Sequence, residues 1–95
     1  MAATVTFVTG NINPDRVPGV KERYEAAVAA GLPAGMERTY MLQVEPGRVA
    51  ILSIWRDRDA VEAMIATGEE PLARRLIREA GGDPEPVLWE ALASA

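Results

Sequence analysis

The segment from residue 48 to residue 66 restricts the fold more than any other part of the chain. Its first half, residues 49–55, is apolar at every position except Ser53. A strand that is apolar on both faces must be covered on both faces, so this run predicts a strand in the middle of a sheet. From Asp57 onward the apolar residues follow a helical period, and Asp57 or Asp59 can cap that helix by accepting hydrogen bonds from its first N–H groups. The architecture is therefore expected to centre on a buried strand that runs directly into a helix.

The composition is that of a small folded domain with an acidic excess. Hydrophobic residues make up 48% and charged residues 25% of the 95 residues, which is typical of globular proteins, so residues 1–95 are expected to form one domain. Ten basic and fourteen acidic side chains give a net charge of −4. Nucleic acids and anionic membranes select for excess Lys and Arg, so neither is expected as a partner.

The chain contains no cysteine and no histidine. Disulfides, thiolate catalysis and Cys/His zinc sites are thereby excluded, and so is the commonest general base near neutral pH. We expect neither a metal nor a cofactor. The N-terminus lacks a basic segment followed by an apolar core, and no apolar run reaches the roughly 18 residues that a membrane helix needs. These features predict a soluble, cytoplasmic protein.

The segments before the central strand alternate between strand and helix patterns. The β-branched run at residues 4–9 predicts a strand, and the helix after it begins at Pro14 or at Pro18. Residues 36–44 predict an edge strand, because charged side chains interrupt them. Residues 45–48 (Glu-Pro-Gly-Arg) suit a type II turn that joins this strand to the central one in a hairpin.

Two helical pieces and a strand follow the central strand. The helix that begins near Asp57 ends near Gly68, residues 69–80 predict a second helical piece, and residues 87–92 predict the last strand. The order β-α-β-β-α-β predicts the ferredoxin-like, split βαβ form of the α+β class. Its four-stranded antiparallel sheet would place the first and third strands in the middle.

Two helices can cover only one face of such a sheet, yet the strands carry two apolar sets. One predicted set is Val5, Phe7, Val49, Ile51, Trp55, Val87 and Trp89, and the other is Val8, Ala50, Leu52, Ile54, Leu88 and Leu92. Leaving large apolar side chains in water forgoes about 1.5–3 kcal/mol for each one. We therefore expect a homodimer packed sheet face to sheet face. Alternatively, one set lines a ligand cavity under the helices, and both arrangements can hold together.

The chain resembles the dimeric α+β-barrel superfamily, especially the antibiotic-biosynthesis-monooxygenase-like proteins. The resemblance rests on the element order and on residues 49–64, which are similar to that family's strand, Trp, acidic or Ser cap, and helix. The family implies several activities: cofactor-free oxygenation of anthrone-like or quinol-like aromatics, haem degradation, isomerisation or decarboxylation of small cyclic acids, and no known reaction. Such sites usually lie between sheet and helices. The superfold hosts many activities, so the resemblance implies fold more firmly than function.

The haem-degrading branch uses an Asn near the end of strand one, a Trp in the helix after the strand Trp, and a His on the next helical piece. By spacing from Trp55, the last two positions correspond to Met64 and Arg74. Haem ligation of that kind has no support here, because the chain has no histidine.

Three residues are candidates for catalysis. The indole N–H of Trp55 could donate to a substrate carbonyl or enolate oxygen, although a large aromatic at this place also seals a core. Tyr24 lies on the apolar face of the first helix, where it could orient a substrate hydroxyl or simply pack. Asn11 could polarise a substrate oxygen, and it also suits the turn after strand one.

Five further residues are candidates for substrate binding: Ser53, Tyr40, Arg38, Met64 and Arg74. Ser53 could donate into a cavity or bond a backbone group. Arg38 and Tyr40 would share one side of the edge strand with Met36. An Arg that faces a cavity could bind a carboxylate or stabilise an enolate. The alternative for Arg74 is a surface ion pair with Glu70, four residues before it.

These observations lead to two hypotheses. The first is a homodimeric barrel whose cavity binds a small aromatic or polyketide-like molecule, with cofactor-independent monooxygenase chemistry if the protein is an enzyme. The second is a non-catalytic protein, either a ligand-binding module or a structural dimer. A cavity of about 300 Å³ or more with converging polar groups would favour ligand binding, whereas a purely structural dimer would fill that space with side chains.

Overall fold

A four-stranded antiparallel sheet carries helices on one face in the computed structural model, which describes residues 3–93. The strands are β1 (Thr4–Asn11), β2 (Met36–Glu45), β3 (Arg48–Trp55) and β4 (Glu85–Glu90), and the helices are α1 (Val17–Ala29), α2 (Arg58–Ala66) and α3 (Leu72–Glu79). The strand order is β2-β3-β1-β4, with β3 and β1 in the middle. The ferredoxin-like α+β fold predicted from the sequence is therefore confirmed.

Local chemistry accounts for the ends of these elements. Asp57 caps α2, since its carboxylate accepts a hydrogen bond from the Ala60 N–H at 2.9 Å. Gly47, with φ +85°, provides the left-handed position that the type II turn between β2 and β3 requires. Both predicted starts of the first helix are used, because a 3-10 turn at Pro14–Arg16 leads directly into α1.

The last strand begins two residues earlier than the sequence indicated, at Glu85 instead of Val87. Pro86 lies inside it, opposite Val8 of β1. A proline cannot donate a ladder hydrogen bond, and it is tolerated here because β4, among the described strands, lies at the sheet edge beside β1.

The cross-strand register decides which side chains share a face. Val8 pairs with Ile51, and Thr6 pairs with Ser53, so these residues lie on the face that the helices cover, which we call the helix face. Val5 and Phe7 therefore lie on the opposite face, which we call the open face. The predicted grouping of Val5 and Phe7 with Ile51 is wrong, because alternation along one strand does not reveal the register between strands.

The main core lies between the helix face, α1 and α3. Its buried members include Val8, Val20, Ile51, Leu76 and Ile77. A second, smaller cluster places Trp55 against Ala60 and Val61 of α2. The open face has no such cover within residues 3–93. Its large apolar side chains stay exposed, with Trp89 at 63%, Tyr40 at 44%, Val87 at 42% and Leu42 at 41%.

Candidate functional site

A partly open cavity of about 410 Å³ lies between the helix face and the helices. Both apolar clusters border it, and side chains from every helix line it. The apolar part of the lining includes Val8, Ile51, Trp55, Val61, Met64 and Leu72. Small-molecule sites commonly have this size and this mostly apolar character.

Three hydroxyl side chains form a row across the sheet at the floor of the cavity. This hydroxyl row consists of Thr39 on β2, Ser53 on β3 and Thr6 on β1, which are direct cross-strand neighbours. The Thr39 Oγ1 and Ser53 Oγ atoms are 3.1 Å apart, and either can donate to the other. The Tyr24 hydroxyl of α1 donates to Thr39 Oγ1, also at 3.1 Å. Polar groups from a helix and three strands thus converge on an otherwise apolar cavity.

Trp55 donates a hydrogen bond to Thr6, the residue at the other end of the hydroxyl row. Its Nε1–H donates to Thr6 Oγ1 at 2.9 Å, and the side chain is only 1% exposed. The indole N–H is therefore already engaged within the protein. In this structure the donor predicted to reach a substrate directly instead fixes the orientation of Thr6.

A count of hydroxyl hydrogens shows what the row can offer to a ligand. Tyr24, Thr39 and Ser53 carry three hydroxyl hydrogens, and the two bonds between them use two. Thr6 accepts from Trp55, and no hydrogen bond within residues 3–93 uses its hydroxyl as a donor. Two hydroxyl hydrogens therefore remain for an oxygen atom placed in the cavity.

Charged side chains surround one side of the cavity at the start of α3. Glu70 accepts three hydrogen-bond contacts of 2.6–3.1 Å from the Arg78 guanidinium, which lowers the pKa of the Glu70 carboxyl. The predicted pair between Glu70 and Arg74 is wrong. Pro71 holds an extended backbone (φ −55°, ψ 139°) that keeps Glu70 outside the helix, so helical spacing does not apply. Arg74 is partly buried, and it makes no ion pair or side-chain hydrogen bond with any residue from 3 to 93.

The cavity brings together five of the eight residues that the sequence proposed for the site. Trp55, Tyr24, Ser53, Met64 and Arg74 all line it. Helical periodicity placed Tyr24 and Met64 on apolar helix faces, whereas Arg74 was proposed from its spacing to Trp55.

The structure does not bring Asn11, Arg38 or Tyr40 to the cavity. Asn11 is exposed at the far end of β1, opposite Arg48. Arg38 and Tyr40 lie on the open face, where the Arg38 Nη1 and Tyr40 hydroxyl are 3.5 Å apart, and this contact raises the pKa of Arg38.

A β-bulge in β2 explains why the sequence pattern assigned Met36 and Arg38 to the same face of the sheet. Met36 opposes Trp55 and Arg38 opposes Ile54, so one residue of β2, Glu37, has no partner of its own. The extra residue shifts the alternation by one position. Met36 therefore lies on the helix face, whereas the sequence pattern had placed it with Arg38.

Sequence reasoning missed Thr6 and Thr39. Threonine is common in strands for its β-branched shape, so neither residue indicated a site by itself. The signal lies in their register with Ser53, which only the paired sheet reveals.

Comparison with solved structures identifies proteins of the same fold. A protein of unknown function from Nitrosomonas europaea has a TM-score of 0.75 and 18% identity, covering 100% of this chain and 94% of that one. SnoaB, a cofactor-independent oxygenase from Streptomyces nogalater, has a TM-score of 0.68 and 17% identity, covering 99% and 97%. A candidate antibiotic biosynthesis monooxygenase from Deinococcus radiodurans has a TM-score of 0.72 and 14% identity, covering 97% and 95%.

The chain has the fold of the antibiotic-biosynthesis-monooxygenase-like proteins. The fold resemblance inferred from the sequence is therefore confirmed. No protein-family model matches the chain, and no curated protein matches it. At these identities the likeness concerns the fold, and the activity has to be argued from the site.

Two further observations concern the described part of the chain. Within residues 3–93, no group of three or more acidic side chains is placed to hold a metal ion. In the same residues, no helix has the length and apolar character needed to cross a membrane.

Proposed function

We propose that the cavity binds a small, flat and mostly apolar molecule that carries a carbonyl or hydroxyl oxygen. The observation that carries this proposal is the hydroxyl row, whose Thr6 and Ser53 hydroxyls lie side by side on the floor of a cavity of about 410 Å³. Buried polar groups with unused donors are costly in an apolar site, and a ligand oxygen that accepts from them offsets this cost.

The chemistry that suits this site is cofactor-independent oxygenation. An anthrone-like substrate loses a C–H proton to give an enolate, and hydroxyl donors stabilise the negative charge on its oxygen. The enolate then transfers an electron to dioxygen, the resulting radical and superoxide combine to a peroxide anion, and this takes up a proton from water to form a hydroperoxide. Loss of one water molecule leaves a quinone, so that the substrate CH₂ group and O₂ become C=O and H₂O. This proposal agrees with SnoaB, a cofactor-independent oxygenase that has the same fold.

The remaining question is which group accepts the proton that the substrate loses. The chain has no histidine, and Tyr24 already donates its hydroxyl hydrogen to Thr39. Of the two carboxylates that line the cavity, Glu70 is bound by Arg78 and Glu69 is exposed to solvent. The substrates that fit this chemistry are therefore those acidic enough to lose a proton to water. The alternative is a binding protein that holds the same molecules in the same cavity without turning them over.

Oxygen consumption with anthrone and a series of quinols tests the catalytic proposal. We expect consumption above the uncatalysed rate, and Thr6→Val combined with Ser53→Ala should reduce it by about 10²-fold or more, since removing one oxyanion donor can cost 10²–10³-fold. Thr9→Val is the matched control, because Thr9 lies on the same strand but on the open face. Substrates that bind without consuming oxygen would favour the binding protein. Turnover that survives the double substitution would contradict the role of the hydroxyl row.

We also propose that a second copy of the chain covers the open face. Trp89, Tyr40, Val87 and Leu42 are each more than 40% exposed there, beside the partly buried Val5, Phe7, Leu52 and Ile54. Fully burying a fully exposed side chain of this kind contributes about 1.5–3 kcal/mol. The four exposed ones are about half exposed, so four from each copy contribute roughly 6–12 kcal/mol, which is comparable with the cost of association, about 4–15 kcal/mol.

Sedimentation equilibrium at micromolar concentration tests this assembly. We expect a dimer, and Trp89→Glu should shift it to monomer because a carboxylate would be desolvated at the interface. Leu92→Glu is the control, since Leu92 is 95% exposed beyond the end of β4. A monodisperse monomer of the unmodified chain would refute the proposal.

A further inference from the structure

The guanidinium of Arg74 differs from those of its neighbours on α3. Arg78 is held by Glu70, with contacts down to 2.6 Å, and Arg75 lies 3.6 Å from Glu79. Arg74 has no acidic partner within residues 3–93, although it is partly buried and lines the cavity. A cation that is partly removed from water without a partner is destabilising, so this position favours an anion supplied from outside the chain.

The acidic residues near Arg74 do not serve as its ion-pair partner. Glu70 lines the same side of the cavity, but its carboxylate is occupied by Arg78. Glu69 also lines it, and it is exposed to solvent, where water screens its charge. Arg74 and Arg75 both line the cavity, and of the two Arg74 is the one without an ion pair within residues 3–93.

We propose that the ligand of this cavity is an apolar carboxylic acid, whose carboxylate binds Arg74 while its ring system lies against the apolar lining. This inference rests on the proposed function and specifies the class of molecule. A planar carboxylate matches the guanidinium fork with two parallel N–H···O bonds, which a neutral amide of the same shape cannot reproduce. A second oxygen on the ring system would accept from the Thr6 hydroxyl and from the one hydroxyl hydrogen that the Thr39–Ser53 pair leaves free.

The test uses two probes of nearly the same shape, 2-naphthoate and 2-naphthamide, which differ in charge. The chain has two tryptophans, and Trp55 lines the cavity whereas Trp89 lies on the open face. Their indole N–H signals in a ¹⁵N-resolved NMR spectrum therefore report the two surfaces separately, and Trp89→Phe identifies the Trp55 signal. Each probe is titrated while this signal is followed.

We expect 2-naphthoate to shift the Trp55 signal with an affinity at least about tenfold higher than that of 2-naphthamide, a difference of about 1.4 kcal/mol. Arg74→Gln should remove this preference and leave the affinity for 2-naphthamide unchanged. Arg75 also lines the cavity, but it lies 3.6 Å from Glu79, so Arg75→Gln is the matched control and should keep the preference. The preference should also weaken at high salt.

Three outcomes would count against the inference in distinguishable ways. Equal binding of both probes, unaffected by Arg74→Gln, would overturn the carboxylic acid and leave the cavity as a binding site for neutral molecules. An equal loss in Arg74→Gln and Arg75→Gln would overturn the assignment to Arg74 in favour of general charge attraction. No change of the Trp55 signal with either probe would refute both the inference and the proposed function.

Discussion

The hydrogen bond between Trp55 and Thr6 gives a stability effect whose size follows from the structure. Thr6→Val replaces a hydroxyl by a methyl group of similar shape, and it leaves the indole N–H of a side chain that is 1% exposed without an acceptor. An unsatisfied buried donor costs about 1–3 kcal/mol. In a Trp55→Phe background that donor no longer exists, so the same substitution should cost almost nothing. The coupling energy between the two positions is therefore expected to be about 1–3 kcal/mol.

Urea unfolding of the four proteins in this double-mutant cycle measures the coupling. The protein concentration must be the same throughout, because dimerisation would add a concentration-dependent term to the free energy of unfolding. Thr9→Val on the open face serves as control, and we expect it to change stability by less than about 0.5 kcal/mol. If Thr6→Val costs the same in both backgrounds, within about 0.5 kcal/mol, the bond does not hold the two residues together and the reasoning about the site fails.

Two further expectations concern pH and packing. Hydrogen bonds from Arg78 lower the pKa of the Glu70 carboxyl below its ordinary 4.5, so the stabilisation is present above that pH and is lost as the pH falls through the folded-state pKa. Glu70→Gln should therefore flatten the fall of the free energy of unfolding, measured with urea, on the acid side. An unchanged fall would contradict this expectation. Gly10→Ala should lower the melting temperature, because its new Cβ would overlap Ile77 at a cost of about 1–3 kcal/mol. Gly19→Ala in α1 is the control: its Cβ meets nothing within 4 Å, so the melting temperature should rise slightly. Equal effects of the two substitutions would refute the close approach of β1 and α3.

The sequence was sufficient for the architecture because its strongest pattern lies at the centre. The apolar run ending at Trp55 and the cap at Asp57 fix a central strand followed by a helix, and the remaining elements have room in only a few arrangements. Helical periodicity likewise placed Tyr24 on the apolar face of α1, and the structure brings it to the cavity.

The details of the site depend on relations between strands, which periodicity along one strand does not contain. The hydroxyl row exists because Thr6, Ser53 and Thr39 share a register, and one sequence offers no sign of that register. The bulge near Glu37 likewise reverses the sides of β2 without a glycine or proline to indicate it. Arg74 was recognised as a residue that could face a cavity, but its lack of a partner follows from the backbone at Pro71.

The bulge in β2 has a consequence for how proteins of this shape can diverge. Deleting the single residue Glu37 would restore regular alternation between Met36 and Gln43. It would exchange the inner and outer side chains either on the short stretch before the bulge or on the stretch after it. In the second case Thr39 would leave the cavity, while Arg38 and Tyr40 would enter it. One codon gained or lost at this place could thus change the ligand chemistry and the exposed surface in a single evolutionary step, without replacing any other amino acid.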